Sequence, residues 1–411
     1  MDDESTGSVF GGILLIAGCC IGAGMLGLPV LSASAGFFPS LLVFFLSWLF
    51  MATTGLLLLE VNLWYGNNVS IISMAGHTLG KWGQAASWFL FLYLFYSLML
   101  AYSVASGALV SDFFDVLFHL SMPPWMGSFA FVLLFGSLIY KGTGNVDRFN
   151  RILILGLAIS YLMLVSGGIA SVKKHLLMHM NWPATVLVIP TMVLSFGFHN
   201  LVPSMTRYLL GDAKKLRRVI LIGSFLPLAI YLAWQLLILG IVPLIEFRDA
   251  VDTGSMATQA LIRVVGVSWV GVFAEYFAFF SIVTSFLAVA LSLVDFLADG
   301  LGIKRTPAGK VTLCSLAFAP PFAFGVFNPN IFLKALNYAG AFGAVILFGI
   351  IPVLMVWEGR YRQKIQAPQM VPGGKWTLML VVAFSLFVMG MQIADDWKLV
   401  EIERKYETQV E

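Results

Sequence analysis

A run long enough and apolar enough to cross a bilayer recurs eleven times in this 411-residue chain, and that repetition constrains the fold more than any other feature. The runs are Val9 to Ala35, Gly36 to Tyr65 (with Glu60 inside), Trp82 to Ser111, Leu120 to Tyr140, Ile152 to Val172, Met180 to Thr206, Val219 to Ile245, Val264 to Val294 (with Glu275 inside), Val311 to Leu333, Ala335 to Trp357 and Trp376 to Ala394. Each has at least 19 residues, and about 20 apolar residues make one helical crossing. Barrel strands would be about half as long and alternating in polarity, whereas a helix satisfies its own backbone in lipid. The expectation is an all-α integral membrane protein with eleven transmembrane helices. Only 11% of the residues are charged, against about a quarter in soluble domains, which excludes the water-soluble enzyme classes.

The net charge of +3 offers no basic face for nucleic acid. Three cysteines, Cys19, Cys20 and Cys314, are too few and too apolar in setting for a disulfide framework. The N-terminus begins with acidic residues and leads into a run longer than a signal-peptide core, so no cleaved leader is expected. With the N-terminus in the cytoplasm, sixteen of the 24 Lys and Arg residues fall inside, the division favoured by the positive-inside tendency. Eleven crossings then leave the C-terminus outside.

The longest connection, around Glu246 to Arg263, is too short for a soluble domain, so residues 1–411 read as one membrane domain. Five runs (9–172) precede five more (180–357), followed by an extra helix (376–394) and a charged tail (395–411). An odd number of helices per half gives the halves opposite orientation, the inverted-repeat plan of many transporters.

Run 1 contains Gly18-Cys19-Cys20-Ile21-Gly22-Ala23-Gly24-Met25-Leu26-Gly27-Leu28-Pro29. The embedded G-x-G-x-x-G lacks the preceding strand and the acidic residue about 20 positions on that a dinucleotide site requires. Run 6 carries Ser195-Phe196-Gly197-Phe198-His199-Asn200-Leu201-Val202-Pro203, which aligns with Ile21 to Pro29 at the proline. Breaks at matching positions of the two halves point to a midplane binding site. Such a break frees amides at the start of one half-helix and carbonyls at the end of the other. The first attract a carboxylate and the second an ammonium. An amino acid zwitterion fits such a site, and neither motif contains Arg, Lys, Asp or Glu.

Five segments, Ile21-Gly22-Ala23-Gly24-Met25-Leu26, Leu58-Leu59-Glu60-Val61, Val146-Asp147-Arg148-Phe149-Asn150-Arg151, Ser195-Phe196-Gly197-Phe198-His199 and Asp295-Phe296-Leu297-Ala298-Asp299, occur in this order. In them the chain resembles the hydroxy and aromatic amino acid permeases, and within these the tyrosine-specific members. The resemblance implies a LeuT-type 5+5 inverted repeat with helices 1 and 6 broken. It also implies ion-coupled uptake of an aromatic amino acid, with tyrosine first, across the bacterial inner membrane. Carried over by motif, the amides of Ala23 and Gly24, next to Gly22, would hold the substrate carboxylate. The carbonyls of Cys20 and of Ser195 or Phe196, next to Gly197, would face the amino group. Phe198 would line the side-chain pocket with Tyr96 and Tyr102 of run 3 and Phe277 or Phe280 of run 8. Ring pairs add about 0.5–1.5 kcal/mol beyond burial.

No cofactor and no obligate protein partner is expected; the coupling ion is the open question. Glu60, His199 and Glu275 lie within the runs; Glu275 is read as lying near the outer interface, which leaves Glu60, read also as a tie from helix 2 to a broken helix, and His199, read also as a substrate ligand or a structural imidazole, as the central candidates. Sodium-coupled members of the implied fold place hydroxyl ligands on helix 8, here Ser281, Thr284 and Ser285, opposite carbonyls of helix 1, here Gly18 and Ile21. Some proton-coupled relatives carry a lysine near the position of Leu157. The family implies protons, and sodium is the alternative. A membrane enzyme and a channel or receptor are the competing classes; against the enzyme, the chain contains neither H-E-x-x-H nor G-x-S-x-G, and solute counterflow separates a carrier from a channel.

Overall fold

The computed structural model describes residues 7–66, 69–266 and 268–399. Among them the structure is helical throughout, with no strand. The helices are α1 (Val9–Cys20), α2 (Gly24–Ser32), α3 (Phe37–Tyr65), α4 (Ile71–Phe118), α5 (Pro124–Lys141), α6 (Thr143–Gly168), α7 (Ile189–Ser195) and α8 (Val202–Tyr208). They continue as α9 (Ala213–Ile241), α10 (Leu244–Thr253), α11 (Ala257–Val265), α12 (Trp269–Leu301), α13 (Pro307–Phe327), α14 (Phe332–Tyr338), α15 (Ile351–Trp357) and α16 (Gly374–Asp396). Between α14 and α15 the chain continues without interruption as a π-helix, Ala339–Ile350, so Phe332–Arg362 is one rod of 31 residues.

Nine of these helical segments are long and apolar enough to cross a membrane, and ten if α1 and α2 are one span bent by 56°. The eleven crossings expected from the sequence therefore lack one continuous helix. Its place is residues 180–206, where a 3₁₀ turn (Pro183–Leu187), α7, a second 3₁₀ turn (His199–Leu201) and α8 follow one another. Prolines near the starts of α7 and α8 and the run Ser195-Phe196-Gly197-Phe198 explain the fragmentation, since Pro190 and Pro203 cannot donate to a preceding turn. The loop around Glu246 to Arg263 folds into α10 and α11, tied by Arg263 to Glu246 and Asp249 at 3.4 and 3.5 Å.

The core gathers around the two interrupted helices. α1 packs along α9, α7 lies against the π-helical segment and α3, and α12 packs along α6. The last pair is antiparallel: Gly167 lies under Trp269, Gly156 under Phe280, and the rings of Tyr161 and Phe277 are 5.7 Å apart. α9 is capped by Asp212, whose carboxylate accepts from the amides of Lys214 and Lys215 at 3.0 and 3.1 Å. From this capped start it runs behind both breaks. Its Trp234 donates to the carbonyl of Met25 at 2.9 Å, and Gln235 donates to Ser32 Oγ. These contacts hold α2 against α9.

A cavity between two helix breaks

α1 ends at Cys20 because Ile21 turns to extended geometry (φ −79°, ψ 105°), and helical hydrogen bonding resumes with Met25 donating to Gly22 at 3.0 Å. Among the described residues no hydrogen bond takes up the amides of Gly22 and Gly24. The amide of Ala23 donates to Ser285 Oγ at 2.8 Å. A side chain at position 22 would run into that same Ser285 oxygen, which explains the glycine. α7 ends at Ser195. Beyond it, the amides of Phe196 and Gly197 turn back onto Val193 and Leu194 at 3.1 and 2.9 Å. Cys19 Sγ spans the gap between the breaks, 3.6 Å from the carbonyl of Gly197 and 3.8 Å from Asn200 Oδ1.

A cavity of about 480 Å³ opens where the two breaks face each other, within the range of small-molecule sites. One wall is backbone and small side chains, Gly18 to Gly22, Gly24, Ser195 and Gly197. The second is a face of α4, Phe91, Phe95, Leu98 and Tyr102, at spacings of one helical turn. The third combines Asn150, Ile154, Leu157 and Tyr161 of α6 with Phe277, Thr284, Ser285 and Ser292 of α12, and Phe348 of the π-helix closes it. The walls are thus mostly apolar, six aromatic residues standing among a larger number of aliphatic ones, with polar groups concentrated at the breaks. The Asn150 and Ser292 end is polar too, and Asn150 Oδ1 there is buried without a hydrogen-bond partner among the described residues.

Of the residues singled out in the sequence, Gly18, Cys20, Ile21, Gly22, Gly24, Ser195, Gly197, Tyr102, Phe277, Thr284 and Ser285 line this cavity. Ala23, Phe196, Phe198, His199, Tyr96, Phe280, Ser281 and Glu60 are not in its lining. Tyr96 donates to the carbonyl of Leu316 at 2.8 Å, because one step along α4 from Phe95 turns it about 100° off the cavity face. Phe280 packs on α6 at Gly156. Phe198 points at α3, where a Cβ on Gly55 would come within 2.6 Å of its ring. His199 is fully buried behind Phe348, its ring stacked on that phenyl at 4.6 Å and its Nε2 2.9 Å from Thr54 Oγ1. Among the described residues its Nδ1 has no hydrogen-bond partner.

Two expected contacts are differently made. The carbonyls of Cys20 and Ser195 both meet the hydroxyl of Tyr231, at 2.6 and 2.8 Å. Glu60 does not tie helix 2 to a broken helix. Its carboxylate takes two hydrogen bonds from Arg360, both 2.7 Å, and one from the amide of Met370, also 2.7 Å, which fastens α3 to the end of the Phe332–Arg362 rod. Of the hydroxyls in the sodium reading, Thr284 Oγ1 donates to the carbonyl of Phe280 at 2.8 Å, while Ser281 Oγ is buried without a partner among the described residues.

Sequence reasoning missed Tyr231, Asn200, Phe91, Phe95 and Phe348. The four-residue spacing from Phe91 to Phe95, continued to Tyr102, was a readable signal for one face of α4. Tyr231 and Phe348 had none, each being one of several aromatics in a long apolar run.

A cavity with aromatic residues in its walls, set between two broken helices of a multi-pass membrane protein, is the architecture of a small-solute carrier. The comparison with known chains gives the family: residues 5–392 match the tryptophan/tyrosine permease family, and the chain belongs to it. It is 31% identical to a tryptophan-specific transport protein of Haemophilus influenzae, over 96% of this chain and 97% of that one. It is 32% identical to tyrosine-specific transport system 1 of the same organism, over 93% and 96%. A low affinity tryptophan permease of Escherichia coli is 28% identical over 94% and 95%. The family is one of permeases rather than enzymes.

Proposed function

We propose that the protein imports an aromatic amino acid across the bacterial inner membrane by ion-coupled alternating access, with the substrate held in the cavity between the two breaks. The observation that carries the reading is the pairing of free backbone amides at Gly22 and Gly24 with a wall of Phe91, Phe95, Tyr102, Phe277 and Phe348. The amides suit a carboxylate, and the rings suit an aromatic side chain. Tyrosine is the first substrate, from the motif resemblance, and tryptophan the competitor, since relatives of nearly equal similarity bear each name.

On this reading α7 and α8 together form an eleventh crossing, and the chain follows the LeuT-type 5+5 plan with 376–394 as the extra helix. The N-terminus is cytoplasmic, the C-terminus outside, and the Asn150 and Ser292 end of the cavity faces the cytoplasm. The coupling ion is the proton. His199, one phenyl ring from the cavity and with an unpartnered Nδ1, is the group proposed to carry it, because Glu60 is held in its bidentate pair with Arg360. Sodium is the second reading, favoured by the unpartnered hydroxyl of Ser281 near Thr284 and Ser285.

Purified protein in proteoliposomes, given labelled tyrosine, tryptophan and phenylalanine with proton and sodium gradients imposed separately, tests these assignments. Accumulation driven by a pH gradient alone supports the proposal. Sodium-driven accumulation at equal pH, lost when Ser281, Thr284 and Ser285 are replaced by Ala, transfers the coupling to sodium. No accumulation or counterflow of any aromatic amino acid removes the function.

A further inference from the structure

At each break a hydroxyl of the protein occupies the backbone groups that the two ends of an amino acid would need. Ser285 Oγ, on α12, accepts from the amide of Ala23 at 2.8 Å, which is what a carboxylate oxygen would do there. The Tyr231 hydroxyl, on α9, lies 2.6 Å from the carbonyl of Cys20 and 2.8 Å from that of Ser195, the last residues of α1 and α7. A phenol has one proton to donate, so the two carbonyls share it, whereas an ammonium would bring three. Ser285 is at the cavity wall and Tyr231 is fully buried behind it.

We infer that Ser285 and Tyr231 are internal stand-ins for the substrate's carboxylate and ammonium, capping the breaks of the unloaded protein so that it can reorient empty. The inference rests on the carrier reading above. In an open state water can serve the freed amide and carbonyls, but occlusion excludes it. A loaded carrier then relies on its substrate. An empty one has only its own side chains, and a buried polar group left unpaired is costly. Net uptake requires the empty return in every cycle, while exchange of external for internal substrate proceeds with the carrier loaded in both directions.

The test compares net uptake with equilibrium exchange of labelled tyrosine and tryptophan in proteoliposomes containing the full chain, for wild type, Tyr231→Phe, Ser285→Ala and Ser285→Thr. The expected result is that Tyr231→Phe and Ser285→Ala each lower net uptake relative to exchange by roughly 10-fold or more. Ser285→Thr, which retains a hydroxyl, returns the ratio toward wild type. Equal loss of both activities, or an unchanged ratio, overturns the inference, and so does failure of both hydroxyl-deleted variants to insert, which would assign the hydroxyls to folding. A wild-type protein that exchanges no aromatic amino acid defeats the carrier reading instead, so the two failures are distinguishable.

Discussion

Glu60 and Arg360, 300 positions apart in sequence, meet in a bidentate ion pair whose two contacts are both 2.7 Å, with about 2% and 5% of their side chains exposed. The pair explains how a carboxylate persists inside an apolar helix: a fixed guanidinium and the Met370 amide satisfy it. Glu60→Gln leaves Arg360 without its countercharge and should lower the stability of the protein by about 3–5 kcal/mol. Thermal unfolding of purified protein measures this, and Glu60→Gln with Arg360→Met should recover part of the loss. An unchanged melting temperature in the single variant would show that the pair contributes little.

Gly24→Ala should be tolerated, because the added Cβ meets only Ser195 Oγ, at 3.4 Å. Gly24→Leu should insert in the membrane yet bind no substrate, since its side chain would fill the approach to the amides at the break. Tyrosine binding to the Leu variant at wild-type affinity would place the substrate elsewhere.

Phe95→Ala should weaken aromatic substrates by about 1–3 kcal/mol and narrow their advantage over small aliphatic amino acids, as read by competition against labelled tyrosine. Phe198→Ala should behave differently. Its ring is packed on Gly55 outside the cavity lining, so the expected loss is about 3–5 kcal/mol of stability rather than selectivity. Reversal of the two phenotypes would move the pocket toward α3.

Tyramine and the deaminated acid of tyrosine should each compete at least about 10-fold less well than tyrosine, because each offers only one of the two charged ends. Competition by either at the level of tyrosine would contradict recognition of a zwitterion by backbone groups.

His199→Gln should abolish accumulation driven by a pH gradient while leaving counterflow measurable, if this imidazole carries the coupled proton. Its stacking on Phe348 and contact with Thr54 also make it a packing residue, so retained proton-driven accumulation in the variant would restrict it to that role.

The membrane class and the helical content were legible without coordinates because they follow from local rules. A long charge-free run has one inexpensive way to satisfy its backbone in lipid, and glycines clustered near a proline weaken a helix. The first interrupted segment was found this way and the second by its alignment with the first at the proline, and the breaks lie within them. The wall aromatics were only half legible. Tyr102 and Phe277 reach the cavity while Tyr96 and Phe280 do not, and the difference is one of helical phase, which composition alone does not carry.

What the sequence by itself determined was therefore a polytopic helical bundle with two weak points in its helices, since apolar run length and glycine and proline placement act on the chain locally. What only the tertiary structure decided was which groups meet at those weak points. Tyr231 reaches the carbonyls of Cys20 and Ser195 from 211 and 36 residues away, Ser285 reaches Ala23 from 262, and Arg360 reaches Glu60 from 300. Such contacts depend on how whole helices cross and on the rotation of each about its axis. Those are settled jointly by the packing of all the helices, so no single segment of sequence encodes them.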